Sequence, residues 1–578
     1  MIEMLLIPLA TIALAFPLGL YLARVMRGGP MRGDALFGLI EQPLYRLLGV
    51  SPAHGMSWRG YAGAFVLNNA VIGVLAMTVF MTQAWLPLNP DQIPNMRWDT
   101  ALHTTVSFLT NTNQQHYAGQ AQLSYLAQMT AITGLQVVTP MMGLALAVAT
   151  LRALFGARGE AAPPVDAGLP DADRHIAVGN YYVDVIRACV RFMLPLCLLW
   201  ALLLTSQGVP ATLAGGPRAT PVDTSAGMAT QKIPLGPVAA MVAAKQLGTN
   251  GGGWYGPNSA MPLENPTPLS NALELGGILL IPVSVVFMLG AFTGRKRLAG
   301  LVFACMLTMS VLSSAATVWL EGHPGRSATL PLLMEGKEVR FGADATALWA
   351  AFTTQTSNGS VNGMHDSFSP LGGAVPMVNM LVNAIWGGIG CGLQQFFVYL
   401  LLGVFLAGLM TGRTPELFGR KLETPQIRLL ALLVLLQPIT VLGFTALTLA
   451  MPTVAGTSNP GFHGISQVFY EYVSAFANNG SGFAGLGNTT PWWNLSCTAV
   501  LLLGRYPALL VPLVVAAQLA GKRRAPESVG TLQIETPTFA LTLIALITIL
   551  TVLQFMPALV LGPVAEHLSL IPHAELRP

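Results

Sequence analysis

Ala475-Phe-Ala-Asn-Asn-Gly-Ser-Gly-Phe-Ala-Gly485 is a polar, glycine-rich segment set in strongly apolar surroundings. Three other stretches share its character: Ser107-Phe-Leu-Thr-Asn-Thr-Asn-Gln-Gln-His-Tyr117, Leu247-Gly-Thr-Asn-Gly-Gly-Gly-Trp-Tyr255 and Phe352-Thr-Thr-Gln-Thr-Ser-Asn-Gly-Ser-Val361. Irregular polar backbone at membrane depth persists only when it is buried in protein or lines a watery path. Four such loops around one axis make a ring of carbonyl oxygens, the means by which membrane proteins select a dehydrated cation.

The membrane itself follows from composition. Of 578 residues, 53% are hydrophobic and 9% charged, against roughly 25% charged in soluble domains. With 60 glycines and 41 prolines, broken helices and re-entrant loops are expected rather than a plain bundle. Apolar runs of about 20 residues predict ten spans, near 3–23, 60–86, 123–150, 186–206, 270–292, 298–319, 372–411, 429–450, 495–519 and 537–560. The opening run has no basic n-region or small-residue cleavage site, so it reads as a retained helix. The seventh segment is too long for one straight crossing, and Gly387-Gly-Ile-Gly-Cys-Gly392 interrupts it. Four glycines in six residues predict an intramembrane break there.

Basic residues set the expected orientation. The connections after spans 1, 3, 5, 7 and 9 hold 20 of the 29 lysines and arginines, from Arg24 and Arg27 through Arg158 and Arg174 to Lys522-Arg-Arg524. By the positive-inside rule those connections are cytoplasmic. Both termini and all four Asn/Gly loops then face outside. The segments 207–236 and 320–343 read as exposed outer loops.

Taking Asn113, Asn250, Asn358 and Asn479 as equivalent gives intervals of 137, 108 and 121 residues. The predicted fold is an all-α membrane protein of four pseudo-repeats, each helix, pore helix, loop, helix. They cover about 58–152, 184–294, 296–413 and 427–521, flanked by helices at about 3–23 and 537–560, in one integral-membrane domain. Short helical stretches, Thr100–Leu109, Pro237–Leu247, Ala345–Thr354 and Gln467–Phe476, precede the loops. Their C-terminal partial charges favour a cation at the axis. The candidate ion-binding residues are Thr112, Asn113, Gln114 and Gln115; Thr249, Asn250, Gly251 and Gly252; Ser357, Asn358, Gly359 and Ser360; and Asn478, Asn479, Gly480 and Ser481. None is acidic, which disfavours a divalent ion and suits a monovalent one of the potassium kind. The first loop stands apart, with Gln114-Gln115 where the others carry glycine.

Charges inside the membrane are costly and default to function. Arg505 falls in the ninth span and is expected to act as an electrostatic barrier below the loops. Glu264, Glu274 and Glu471 lie near helix ends and read as capping or pairing groups, and Lys245 as a solvated lysine. His103, His116, His365 and His463 share no helical face, so no metal site is expected. Cys189, Cys197, Cys305, Cys391 and Cys497 lack ligand spacing and read as small buried hydrophobes.

Several motifs together carry a resemblance. Lys245-Gln-Leu-Gly-Thr-Asn-Gly-Gly-Gly-Trp-Tyr255, Glu264-Asn-Pro-Thr267, Val361-Asn-Gly-Met-His-Asp-Ser-Phe368, Gly412-Arg-Thr-Pro-Glu416 and Ala477-Asn-Asn-Gly-Ser-Gly-Phe-Ala-Gly-Leu486 resemble the potassium-transporting ATPase A subunit of the bacterial Kdp system, over almost the whole chain. The resemblance implies a fold of the potassium-transporter superfamily in the bacterial plasma (inner) membrane, with potassium as the transported ion. It implies partners too: a P-type ATPase B subunit, a single-span C subunit and a small F peptide, with the ion leaving sideways toward the B subunit. Gly387, Gly388, Gly390 and Gly392 match the family's gate loop, and Arg505 a basic residue below the filter. Two positions depart from the family pattern: Gln114 where Trp is expected, and Asn383 where an acid is expected. The chain carries neither a Gly-x-x-x-x-Gly-Lys-Ser/Thr loop nor an Asp-Lys-Thr-Gly signature, so it is expected to be non-catalytic, without an ATP site. A self-sufficient channel or symporter of the same superfamily is the alternative reading.

Overall fold

Four of the helices begin at a Thr-Pro or Ser-Pro step. Thr267, Ser369, Thr490 and Thr536 each accept a backbone N–H of the first turn through the side-chain oxygen, and the next residue is Pro268, Pro370, Pro491 or Pro537. The hydroxyl satisfies an orphan donor, while proline, which has none, arrives with its φ preset for the helix. These caps lie outside the apolar windows, which is why the first three of these helices start two to four residues earlier than hydropathy alone predicts, while the fourth starts at Pro537 as expected.

In the computed structural model, residues 2–156, 177–223, 225, 227–323, 334–526 and 531–570 are described. Arg158 and Arg174, counted above for orientation, lie outside the described residues, as do 324–333 of the predicted 320–343 loop. The helices in chain order are α1 (Leu5–Arg27), α2 (Asp34–Leu48), α3 (Trp58–Trp85), α4 (Trp98–Leu109), α5 (Tyr125–Phe155), α6 (Tyr181–Ser206), α7 (Val238–Leu247) and α8 (Pro268–Thr293). They continue with α9 (Lys296–Gly322), α10 (Ala343–Gln355), α11 (Pro370–Val382), α12 (Cys391–Met410), α13 (Thr424–Leu449), α14 (Phe462–Phe476), α15 (Pro491–Ala520) and α16 (Pro537–Ser569). Ten of them are long and apolar enough to cross a membrane, so the chain is a multi-pass membrane protein. The only strands among the described residues are two short ribbons, Arg218–Ala219 with Gln231–Lys232 and Glu416–Leu417 with Arg420–Lys421.

The predicted seventh crossing is α11 and α12, parted by residues 383–390. Asn383 ends α11 in the left-handed region (φ 47°), a conformation that asparagine tolerates better than most residues. Helix α2 was not anticipated, because its apolar face is broken by Asp34, Glu41 and Arg46. Arg191 of α6 binds Glu41 through two bonds and Asp34 through one. The Met31 N–H and that guanidinium hold the Asp34 carboxyl below its usual range.

Helices α5 and α8 are buried along most of their length, while α1 and α16 expose most of theirs. Helix α1 packs along α8, and α5 along α15. The short helices α4, α7, α10 and α14 do not cross. Each is surrounded by longer helices and ends in one of the four polar loops, so the loops meet inside the protein rather than at its lipid face.

Beneath them one ion pair ties three helices together. Arg152 of α5 reaches both carboxylate oxygens of Asp184 on α6, at 2.5 and 2.9 Å, and the Tyr61 hydroxyl of α3 donates to the same carboxylate at 2.9 Å. Asp184→Asn leaves the guanidinium without its counter-charge in a largely buried setting. It is expected to cost about 3 kcal/mol, toward the low end for such pairs because Arg152 is partly exposed. Thermal unfolding in detergent measures it, with a lowered Tm as the expected result.

Candidate ion-binding site

Two residues beyond each short helix the chain turns left-handed. The positions are Asn111 (φ 59°), Thr249 (47°), Ser357 (52°) and Asn478 (53°). Two residues further it does so again, at Asn113 (55°), Gly251 (61°), Gly359 (88°) and Gly480 (104°). Alternating left- and right-handed residues point successive carbonyls the same way. A β-branched threonine at positive φ is a genuine outlier, and strain of this kind persists only where the surroundings enforce it.

This pattern corrects the register of the first loop. The amides of Thr112, Asn250, Asn358 and Asn479 each donate to the carbonyl five residues back, in Ser107, Lys245, Thr353 and Ser474, at 2.9–3.3 Å. The counterpart of Asn250 is therefore Thr112, not Asn113, and the first interval is 138 residues rather than 137. Asparagines flank Thr112 on both sides, so matching by residue type selects the wrong position. Asn111 joins the frame, and Gln115 falls one place beyond it.

The loops contact one another in cyclic order. A Cβ on Gly251 would lie 2.2 Å from the Asn358 carbonyl oxygen, one on Gly359 2.0 Å from that of Asn479, and one on Gly480 2.1 Å from that of Thr112. Only glycine admits such an approach. The fourth corner is Asn113, whose amide donates to the Gly251 carbonyl at 3.0 Å. The first loop thus departs from the glycine pattern at Asn113, not at Gln114-Gln115.

Asparagines also join the loops to neighbouring helices. The side chain of Asn358 donates to the Lys245 carbonyl (3.0 Å), that of Asn479 to Thr353 (2.8 Å), and that of Asn250 to Gln136 (2.8 Å). Gln136 of α5, which the apolar pattern of its helix hid, donates in turn to Gly251 O at 2.9 Å. Thr112, Asn250, Asn358 and Asn479 are fully buried. Among the described residues, no donor meets the backbone carbonyl oxygens of these four. Buried carbonyls are almost always paired, so four equivalent ones without a protein donor form a set of available acceptors.

Charge lies behind the ring. Lys245, expected to be solvated, is completely buried, because α7 is enclosed by longer helices. Its ammonium donates to Asn258 Oδ1 (2.9 Å), Ser259 Oγ (2.7 Å) and the Glu264 carboxylate. Glu274 accepts from Ser259 and Gln246, and Gln246 accepts from Ser360 of the third loop. The expected pairing roles of Glu264 and Glu274 hold. Glu471, in the last two turns of α14, binds Gln114 Nε2 at 2.8 Å and His116 Nε2 at 3.1 Å.

Residues 383–390 run beneath the second and third loops. Ser357 Oγ donates to Asn383 Oδ1, the amides of Trp386 and Gly387 to the Gln355 carbonyl, and the Ile389 amide to Thr249 Oγ1. Gly390 (φ 83°) has no room for a Cβ, which would fall 2.4 Å from the Gly143 carbonyl oxygen. Gly387 and Gly392 pack on each other, and Gly388 faces Cys391. Arg505 is buried in α15 and stands apart from the ring, near Gly143. A Cβ on Gly143 would lie 3.1 Å from the guanidinium and 2.8 Å from the Ile389 carbonyl oxygen. Above the ring, a cavity of about 210 Å³ is lined by Asn113, Gln114, Gln115, Gly359, Glu471 and Gly480, among others. Gln115 closes one wall, exchanging two hydrogen bonds with Gly253 at 3.0 and 2.8 Å.

The family model described as the potassium-transporting ATPase A subunit matches residues 5–568. The chain belongs to this family. Among its relatives, the potassium-transporting ATPase potassium-binding subunit of Gloeobacter violaceus is 43% identical over 566 residues, 95% of each chain. The subunit of the same name from Pseudomonas putida is 43% identical over 562 residues, 96% of each chain. The solved structure of the potassium transporter TrkH from Vibrio parahaemolyticus aligns at a TM-score of 0.48 and 14% identity, over 87% of this chain and 98% of that one.

Within this family member, Glu264→Gln is expected to cost about 3–5 kcal/mol by stranding the buried Lys245 ammonium. Adding Lys245→Met removes the stranded charge and recovers most of the loss. Thermal unfolding of the single and double variants measures the difference.

Proposed function

We propose that the chain is the potassium-selecting subunit of an ATP-driven uptake pump. Potassium enters from the cavity above the ring and is stripped of water by the four loops. The observation that carries this reading is the set of open, buried carbonyls at Thr112, Asn250, Asn358 and Asn479, aimed by alternating backbone handedness. Carbonyl dipoles of this kind replace the hydration shell of a monovalent cation, and the C-terminal ends of α4, α7, α10 and α14 add negative potential. Thr249, Ser357, Asn478 and Asn111 extend the path inward, and Gln114, Gly252, Ser360 and Ser481 form its outer end.

In this reading the chain is built of four repeats with the boundaries given above. The loops and both termini face the outside of the bacterial inner membrane. Residues 387–392 act as the gate, and Arg505, meeting that loop through Gly143, places a positive charge that opposes leak. ATP hydrolysis belongs to a P-type B subunit, assembled with a single-span C subunit and a small F peptide. The 43% identity to potassium-binding subunits along nearly the whole chain supports that partnership.

Gly359→Ala drives a methyl into the Asn479 carbonyl, and Gln115→Arg sets a cation at the mouth while breaking both bonds to Gly253. Each is expected to weaken potassium binding at least tenfold, with the fold retained as judged by thermal unfolding. Equilibrium binding of potassium to the purified chain measures it. Unchanged affinity in Gly359→Ala removes the ring as the binding site, and ATP turnover by the chain alone removes the division of labour.

A further inference from the structure

His116, Glu471 and Cys497 come from three distant parts of the sequence, the first polar loop, α14 and the second turn of α15. Each offers a ligand atom, a ring nitrogen, a carboxylate oxygen and a sulfur, and these atoms lie within 4.8 Å of one another. All three residues are buried. Neither the scattered histidines nor the unspaced cysteines suggested this grouping, because spacing along a chain says nothing about residues brought together by tertiary packing.

The hydrogen bonds around the group decide what it is prepared to hold. Asn494 donates its amide to Asp99 Oδ2 at 2.9 Å and Thr100 Oγ1 at 3.3 Å, so its carbonyl oxygen is the atom 2.8 Å from His116 Nδ1. A carbonyl oxygen only accepts, which fixes the proton on Nδ1 and turns Nε2 toward Glu471. Asp99 is itself held by Arg97 at 2.8 and 3.1 Å. An imidazole anchored through its far N–H by a carbonyl oxygen, itself tied to a carboxylate, is the outer-shell arrangement that orients metal-ligating histidines. His103 stacks on the same ring, centroids 3.8 Å apart and nearly parallel, and fixes its plane.

Glu471 supplies the second observation. Its Oε1 accepts from Gln114, His116 and Asn488 at 2.8, 3.1 and 3.1 Å. Its Oε2 is buried and has no partner. A carboxylate with one saturated oxygen and one bare one is unfinished as a hydrogen-bonded group. Glu471 and Gln114 also line the cavity above the ring, which gives an ion a way in.

We propose that His116 Nε2, the Glu471 carboxylate and the Cys497 thiolate form a binding site for a divalent transition cation of the zinc class, open to the cavity. Mixed nitrogen, sulfur and oxygen ligands select this class over calcium or magnesium, which take oxygen. A fourth position goes to water from the cavity. Binding forms metal–nitrogen and metal–sulfur bonds and releases the Nε2 proton of His116 and the thiol proton to solvent, and thiolate plus carboxylate then cancel the two positive charges. The site stands apart from the carbonyl ring but touches it through Gln114, which shares Glu471.

The test uses the full-length purified chain, freed of metal by chelator and titrated with Zn2+, and separately with Co2+ for its spectrum. One equivalent of Zn2+ is expected to remain after dialysis, and Co2+ is expected to give a near-ultraviolet thiolate charge-transfer band. Cys497→Ser is expected to abolish the band and weaken Zn2+ binding at least tenfold. Asn494→Leu, which frees the imidazole without touching a ligand, is expected to weaken binding about 10–100-fold. Cys305→Ser, at a buried thiol far from the group, leaves the band and the affinity unchanged. Failure to retain Zn2+, a Co2+ complex without the band, or Cys497→Ser binding as tightly as the parent each overturns the proposal. Metal content and the cobalt spectrum do not depend on potassium, so such a failure is distinct from failure of the ring.

Discussion

The left-handed residue two places after each short helix is the constraint from which the rest of the site follows. At Asn111, Thr249, Ser357 and Asn478 the chain leaves its helix in a conformation that three different residue types adopt at a cost. That turn frees the next amide to bond back into the helix and points the next carbonyl away from it. The alternation then continues to the glycine corners, where the loops approach within van der Waals contact of one another. Local bonds contribute, the Ser360 and Ser481 amides donating to the side chains of Asn358 and Asn479, but they do not act alone. The path is also enforced by the surrounding protein, through asparagine side chains that span from one loop to the carbonyl of a neighbouring helix.

Those bonds explain why a region so polar lies at the centre of an apolar molecule. Each buried amide of Asn250, Asn358 and Asn479 finds a backbone acceptor, and the buried charges of Lys245, Glu264 and Glu471 find partners close behind the loops. Leaving a buried polar group unpaired costs about 1–3 kcal/mol, and around the ring Asn113 Oδ1, Asn250 Oδ1, Gln136 Oε1 and Glu274 Oε1 have no protein partner. The carbonyls of the ring and one oxygen of Glu471 also lack a protein partner, and Glu471 lines the cavity above the ring.

Much of this was legible in the chain itself. Ten apolar runs gave the ten spans, four polar interruptions gave the loops, and Gly387 to Gly392 located the break between α11 and α12. Hydropathy misplaced helix starts because a Thr-Pro cap is polar, and it missed α2 because that helix mixes charge with an apolar face. Residue identity misaligned the first loop, since Asn111 and Asn113 bracket Thr112 and only backbone handedness distinguishes them. The burial of Lys245 and the meeting of His116, Glu471 and Cys497 were out of reach for a different reason. They depend on which helices enclose which, and a one-dimensional pattern does not carry that.

Asn113 occupies the corner where the other three loops require glycine. In a ring made from four identical chains a substitution appears at every corner at once, and four side chains at contacts near 2 Å would close the ring. A ring drawn from one polypeptide is free of that multiplicity. One quadrant here carries a side chain that donates to Gly251, while three retain bare backbone. The symmetry is therefore only nominal, and evolution or an engineer can retune a single quadrant while the other three keep their geometry.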